Sequence, residues 1–301
     1  MQNKNFLISF LILFVLVLYS IVFYNFFRER IKLIFYPSDK VLLVENWNLY
    51  KVKACCEFPI NFEITNIEKI NPALSFKSDT NMQNLFFDPF MIKDKDQEKL
   101  FYEVCYLDNK KNYLCEIILT IFEENKIIQN KVVLSDDTIH SYPQVIKVSD
   151  GKYILSITNN GKSPKIFELK KNELIFKNIP INENIMDATY FYHDELYYMI
   201  GTDYSLKGDG NLRIFYGKDP TKDMFIEHPS SPIKYGKNQN RIAGSIFKMN
   251  NKIYRFAMNN EKEYGEYLNL YEILELNKTK FSEKLIKNNF LLNTNLPNNI
   301  K

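Results

Sequence analysis

The chain has 301 residues, 46% of them hydrophobic and 15% aromatic, with 24 Phe and 20 Tyr against 9 Gly and 11 Pro. Its 39 basic and 36 acidic residues leave a net charge of +3 with no basic stripe, which excludes the electrostatic footprint of a nucleic-acid binder. Aromatic residues favour strands, and a chain of this length fits one all-β domain.

Residues 6–27 carry no formal charge and are broken only by Ser9, Ser20 and Asn25. About 20 apolar residues in a helix cross a bilayer core. Tyr19, Tyr24, Phe26 and Phe27 crowd the end of the run, and Arg28, Arg30 and Lys32 stop it. A cleaved leader would place small residues there; the bulky aromatics instead predict an uncleaved, single-pass anchor over residues 1–30, followed by a linker over 31–40. The three cations after the run slightly outnumber Lys4 and the N-terminal amine, which tilts the globular part to the cytoplasmic side.

Beyond the linker one pattern recurs four times: a polar residue at a strand start, an apolar strand, a tight polar turn and an aromatic-rich strand. The polar anchors are Asp88 in Phe87-Asp88-Pro89-Phe90, His140 or Ser141 in His140-Ser141-Tyr142-Pro143, Asp187 in Met186-Asp187-Ala188-Thr189, and Arg241 in Arg241-Ile242-Ala243-Gly244. The returning strands start at Leu100-Phe101-Tyr102-Glu103, Tyr153-Ile154-Leu155, Leu196-Tyr197-Tyr198-Met199 and Ile253-Tyr254-Arg255-Phe256. A period of roughly 40–50 residues with several short strands per unit is the sequence signature of propeller blades. The fold class is therefore all-β, a five-bladed β-propeller over residues 41–286 after one N-terminal transmembrane helix. The fifth blade is expected to be mixed: the strand at 41–52 pairs with the one at 268–276 and closes the ring with chain from both ends.

Cys105 and Cys115 lie symmetrically about Lys110 in one hairpin and face each other across two strands. They predict a disulfide if the domain is exported and buried thiols if it is cytoplasmic. His140, His193 and His228 have no ligand spacing, so no metal is expected. Gly208-Asp209-Gly210 turns into a strand at 212–216 and not into a helix, so no phosphate loop forms and no cofactor is implied. The Asn-rich stretch 287–301 reads as a disordered tail.

In a propeller the first residues of each innermost strand point into one mouth of the central channel. Asp88, His140, Asp187 and Arg241 would then converge there with His228 of Glu227-His228-Pro229, flanked by Tyr142 and Tyr190, with Glu263 and Tyr264 at the rim. Convergent polar groups in a concave site are the usual form of a ligand pocket. Arg241 would suit a phosphate or carboxylate on the ligand.

The ordered series Asp88-Pro89-Phe90, Leu100-Phe101-Tyr102-Glu103, His140-Ser141-Tyr142-Pro143, Met186-Asp187, Leu212-Arg213-Ile214-Phe215-Tyr216, Glu227-His228-Pro229, Arg241-Ile242-Ala243-Gly244, Tyr254-Arg255 and Tyr264-Gly265 resembles the N-terminal domain of glucosamine inositolphosphorylceramide transferases. The resemblance covers about residues 40–280. It implies a propeller of the arabinanase/levansucrase/invertase type, whose glycosidases use an Asp base, a second Asp and a Glu acid. Asp88 and Asp187 match the aspartates by blade, whereas Arg241 stands where the acid would be; Glu103 and Glu227 are the substitutes on offer. The resemblance implies a carbohydrate-recognising propeller in glycan or glycolipid biosynthesis. Its partners would be a saccharide or lipid-linked saccharide, the membrane and glycan-assembly enzymes. Two alternatives stand beside it: a glycoside hydrolase or glycosyltransferase working through Asp88 and Asp187, and a propeller used only for protein contacts.

Overall fold

The structure is a computed structural model that describes residues 31–35, 40–45, 48–57, 61–70, 85–107, 113–136, 138–149, 151–159, 162–203, 210–233, 239–260 and 267–290. The apolar run at 6–27 lies outside these. Among the described residues no helix is long and apolar enough to cross a membrane.

Five antiparallel sheets of four strands follow one another along the chain. The first holds β1 (Ile31–Phe35), β2 (Lys40–Glu45), β3 (Asn48–Glu57) and β4 (Asn61–Ile70). The second holds β5 (Leu85–Asp94), β6 (Gln97–Leu107), β7 (Tyr113–Glu123) and β8 (Lys126–Leu134). The third holds β9 (His140–Ser149), β10 (Lys152–Asn159), β11 (Lys165–Lys170) and β12 (Glu173–Asn178). The fourth holds β13 (Ile185–His193), β14 (Leu196–Asp203), β15 (Leu212–Gly217) and β16 (Ile226–Glu227); the last holds β17 (Phe247–Met249), β18 (Lys252–Asn259), β19 (Tyr267–Leu276) and β20 (Phe281–Lys287). Each sheet is a meander with its strands in chain order, and the fold is an all-β propeller.

The sheets pack face to face through apolar side chains. Phe90, Phe101, Leu119, Tyr142, Leu155 and Ile157 sit in one continuous core with Tyr198, Ile200, Ile214 and Ile246. Ile154, Ile185, Tyr190, Met199 and Phe225 form a second cluster. Burying each such side chain is worth about 1.5–3 kcal/mol, and the near-continuous apolar runs in β6, β10, β14 and β18 follow from being covered on both faces. The first strands lie inside, where β5 meets β9 and β9 meets β13. The fourth strands lie outside, with Ile127, Ile128, Ile175 and Phe176 exposed.

The mixed closing sheet expected from the sequence does not form. The strand at 268–276 is β19, paired with β18 and β20 in its own C-terminal sheet. β20 supplies the fourth strand that the sequence reading sought at the N-terminus. The first sheet is complete without it, because β1 fills the place next to β2; β1 lies in the stretch read as a linker. β1 lies beside β5 and β19. The chain also remains packed as far as Phe290, inside the stretch read as a tail: this ring is buried edge-on against Phe256 at 4.9 Å, and its N–H donates to Leu268 O at 2.6 Å.

Three innermost strands share a β-bulge at their first turn. Asp88 and Pro89 together face Tyr102, because Phe87 pairs with Glu103 and Phe90 with Phe101. Tyr142 and Pro143 face Ile157 in the same way, and Asp187 and Ala188 face Gly201. The first residue of each bulge has positive φ: 45° at Asp88, 54° at Tyr142 and 53° at Asp187. Such conformations cost on the order of 1–3 kcal/mol in a non-glycine residue and cluster at functional sites. Pro89 and Pro143 fit because the extra bulge residue has no ladder hydrogen bond to lose.

Gly201 makes the third bulge possible. A Cβ there would lie 2.4 Å from Ile185 Cγ2 and 2.9 Å from the Met186 carbonyl. Gly201→Ala is expected to cost about 1–3 kcal/mol by overpacking, read as a lower urea midpoint; an unchanged midpoint would mean that the bulge does not press on this strand.

Candidate functional site

The bulges start at Asp88, Tyr142 and Asp187 in neighbouring sheets and bring the two carboxylates within electrostatic reach of the Tyr142 phenol. The anchor of the second repeat is therefore Tyr142, not His140 or Ser141. Aligning Pro143 with Pro89 would have revealed this. Just before the last sheet Gly244 has positive φ, at 94°, three positions beyond Arg241.

Tyr142 is buried at the floor of the site, where it does not present a flank to ligand. Its hydroxyl lies 2.9 Å from Thr189 Oγ1 and accepts from Gly244 N–H at 3.0 Å. The Gly244 carbonyl stands at the same distance. The ring meets Phe90 edge-on at 4.9 Å. One side chain thus joins the second, third, fourth and fifth sheets. Burial, followed by the negative charges of Asp187 and Asp88, pushes the phenol well above its ordinary value of 10.0. It remains a protonated hydroxyl, and both carboxylates lie close enough to act on it.

Asp88 and Asp187 are 7% and 6% exposed. Arg241 donates from Nε to Asp187 Oδ2 at 2.5 Å, so the arginine reaches the site although its backbone lies before the bulge position. Three consecutive carbonyls hold it there. Gln239 O accepts from both Arg255 Nη atoms at 3.2 Å, Asn240 O accepts from Thr202 Oγ1 at 2.5 Å, and Arg241 O accepts from Met258 N–H at 2.8 Å. Arg255 is wholly buried and makes a bidentate pair with Glu283 at 2.6 and 2.7 Å. Nothing in the sequence pattern marks Glu283, 28 residues away; an unpaired arginine in an apolar strand was its one trace.

The remaining sequence candidates lie elsewhere. Both ring nitrogens of His228 are engaged: Nε2 with Asn277 O at 2.7 Å, and Nδ1 as acceptor from Ser230 N–H at 3.0 Å. This histidine ties the fourth sheet to the fifth. Glu227 pairs with Arg213 at 2.5 Å, which holds its carboxyl below the usual range. Glu103 is buried with Oε1 2.9 Å from Cys105 Sγ. Cys105 and Cys115 form a disulfide, so the cluster of Glu103 with these sulfurs, compact enough to hold a metal ion, offers no thiolate. Tyr190 is buried against Phe225 at 5.7 Å; its backbone pairs with the Gln144 amide at 2.6 and 2.9 Å, which joins the third and fourth sheets. Glu263 and Tyr264 lie outside the described residues.

His140 is buried beside Asp136, Nε2 to Oδ1 2.9 Å, and its Nδ1 has no hydrogen-bond partner among the described residues. Burial lowers its pKa below the ordinary 6.5, against the pull of the Asp136 carboxylate.

The sequence matches, over residues 44–297, the family described as the N-terminal region of glucosamine inositolphosphorylceramide transferase 1. The chain belongs to this family. No curated protein sequence matches it. Among solved structures, the α-L-arabinofuranosidase of Clostridium thermocellum is similar at 12% identity and a TM-score of 0.50, covering 86% of this chain and 94% of that one. The α-L-arabinanase of Cellvibrio cellulosa, solved with arabinohexaose, is similar at 13% identity and 0.53, covering 85% and 96%. The β-xylosidase RS223 is similar at 11% identity and 0.57, covering 84% and 95%. At these identities the likeness is one of fold: the family's N-terminal domain shares the propeller of family-43 glycoside hydrolases.

Two measurements test the site's frame. Tyr142→Phe leaves the Gly244 N–H without its acceptor and is expected to cost about 1–3 kcal/mol; a loss within error would remove the hydroxyl as the link between sheets. The unfolded chain takes the His140 proton at higher pH than the folded one. The stability it contributes is therefore fully present above about pH 6.5 and is lost as pH falls through the lowered folded value. Urea midpoints should fall from pH 7 to 5, and His140→Gln should flatten that dependence.

Proposed function

We propose that this family member is a membrane-anchored, five-bladed propeller that holds a saccharide for glycan or glycolipid assembly without cleaving it. The ion pair between Arg241 and Asp187 is the observation that carries this reading. Cleavage of a glycosidic bond needs one carboxyl to protonate the leaving oxygen and another to act opposite. Here a guanidinium occupies the ground beside Asp187. Of the two substitute acids, Glu227 is held ionised by Arg213, and Glu103 is buried against a disulfide sulfur.

The remaining group suits recognition. Two carboxylates and a guanidinium, fixed by strained backbone and by three anchored carbonyls, are prepaid in orientation; preorganisation of this kind favours binding. The family's own description concerns a glycolipid-forming transferase, and the arabinanase of the same fold was solved with a hexasaccharide. Both support a saccharide as the ligand. An N-terminal anchor over residues 1–30 would keep the mouth close to lipid-linked sugars and to the enzymes that use them.

The test is a glycan array probed with the full chain in detergent, including hexosamine and inositol-phosphate head groups. Retention of a subset of glycans is expected, with Asp88→Asn and Arg241→Gln each lowering the signal at least about tenfold, a difference of 1.4 kcal/mol, at unchanged circular dichroism. Equal signal from the wild type and both variants would overturn the site. No retained glycan would leave protein contacts as the better reading.

A further inference from the structure

We propose that the propeller folds outside the cytoplasm, on an oxidising side, and that the disulfide between Cys105 and Cys115 is a permanent staple of the mouth. The inference does not depend on what the mouth binds. The two cysteines are direct partners in the β6–β7 ladder, with Cα atoms 4.1 Å apart and the sulfurs joined.

Its position gives the bond a task. Leu85 pairs with Cys105 and Phe87 with Glu103, so the cross-link sits at the mouth end of the second sheet, immediately beyond the bulge that presents Asp88. On its other side Cys115 bridges to Ile139, where the chain enters β9. The staple thus fixes the strand pair between the Asp88 bulge and the next sheet.

The surroundings favour a lasting bond over a switch. Cys105 is 0% and Cys115 1% exposed, which denies access to an attacking thiolate. Glu103 Oε1 stands 2.9 Å from Cys105 Sγ. A carboxylate there disfavours the thiolate that exchange would have to release. Formation balances as a thiol–disulfide exchange. The two thiols lose two protons and two electrons as the S–S bond forms, and the disulfide of an oxidising oxidoreductase is reduced to a dithiol. Bonds of this kind persist in oxidising compartments and are rare in the cytosol. The small excess of positive charge after residue 27 points the other way, but it rests on a narrow margin.

In a reducing compartment the same three groups, whose ligand atoms lie within 4.8 Å of one another, would present two thiolates and a carboxylate to zinc. The test is therefore made on the full chain from its native source. Thiols are trapped with N-ethylmaleimide at lysis, then the chain is digested without reductant, weighed by mass spectrometry and assayed for zinc. The expected result is a peptide linked through Cys105 and Cys115, unlabelled at both. Both cysteines labelled, with or without one zinc per chain, would overturn the proposal. An alkaline phosphatase fused after Lys301 supplies a second readout. Active phosphatase is expected, and a fusion that is made in full but inactive would contradict the assignment.

Discussion

The hydroxyl of Tyr142 is where this propeller is tied together. The blades of a propeller contact one another mainly through side chains, and directional links between innermost strands are made here by the Gln144 amide and the Tyr142 hydroxyl. Tyr142 starts a bulge with its backbone held at a φ of 54°. Its hydroxyl then meets Thr189 in one sheet and Gly244 in another, while its ring rests on Phe90. The same bulge in the neighbouring strands turns Asp88 and Asp187 towards it. The strain of three positive-φ residues is offset by the packing around them, and the site is a by-product of the device that closes the floor.

In the proposed reading, electrostatics separates this chain from a glycosidase of the same fold. A cleft with two opposed carboxyl groups can divide the tasks of acid and base. Here a guanidinium lies 2.5 Å from one carboxylate, a fixed pair of charges. That pair is built deeply. The arginine's backbone is gripped at three carbonyls, one of them by Arg255, which itself depends on a wholly buried pair with Glu283. Leaving either member of such a pair alone costs several kcal/mol, so the position of Arg241 is part of the fold.

Much of this was legible in the sequence, and the misses have physical causes. The repeat, the strand pairs and the facing of Cys105 and Cys115 could be read because hairpins encode register locally, in turn length and side-chain alternation. Asp88 and Asp187 stand at matching bulges because each follows the start of the first strand of its repeat. The anchor of the second repeat was displaced because a bulge adds a residue that composition does not reveal, and only Pro89 and Pro143 mark it. The closing sheet was misread because β1 lies in the stretch read as a linker and β20 abuts the stretch read as a tail, so neither was counted as a strand, although each pairs with its sequence neighbour. His228 and Glu227 looked like site residues because a polar side chain in a loop looks the same in sequence whether it meets ligand or backbone.

The account's central claim is that the mouth captures a saccharide and returns it intact. The most direct measurement incubates the full chain with a glycan it retains, at neutral pH for a day, and weighs the sugar by mass spectrometry. The account predicts the starting mass alone. Shorter products that disappear in Asp88→Asn would contradict it, because Asp88 would then be serving a cleavage that the Arg241–Asp187 pair should preclude.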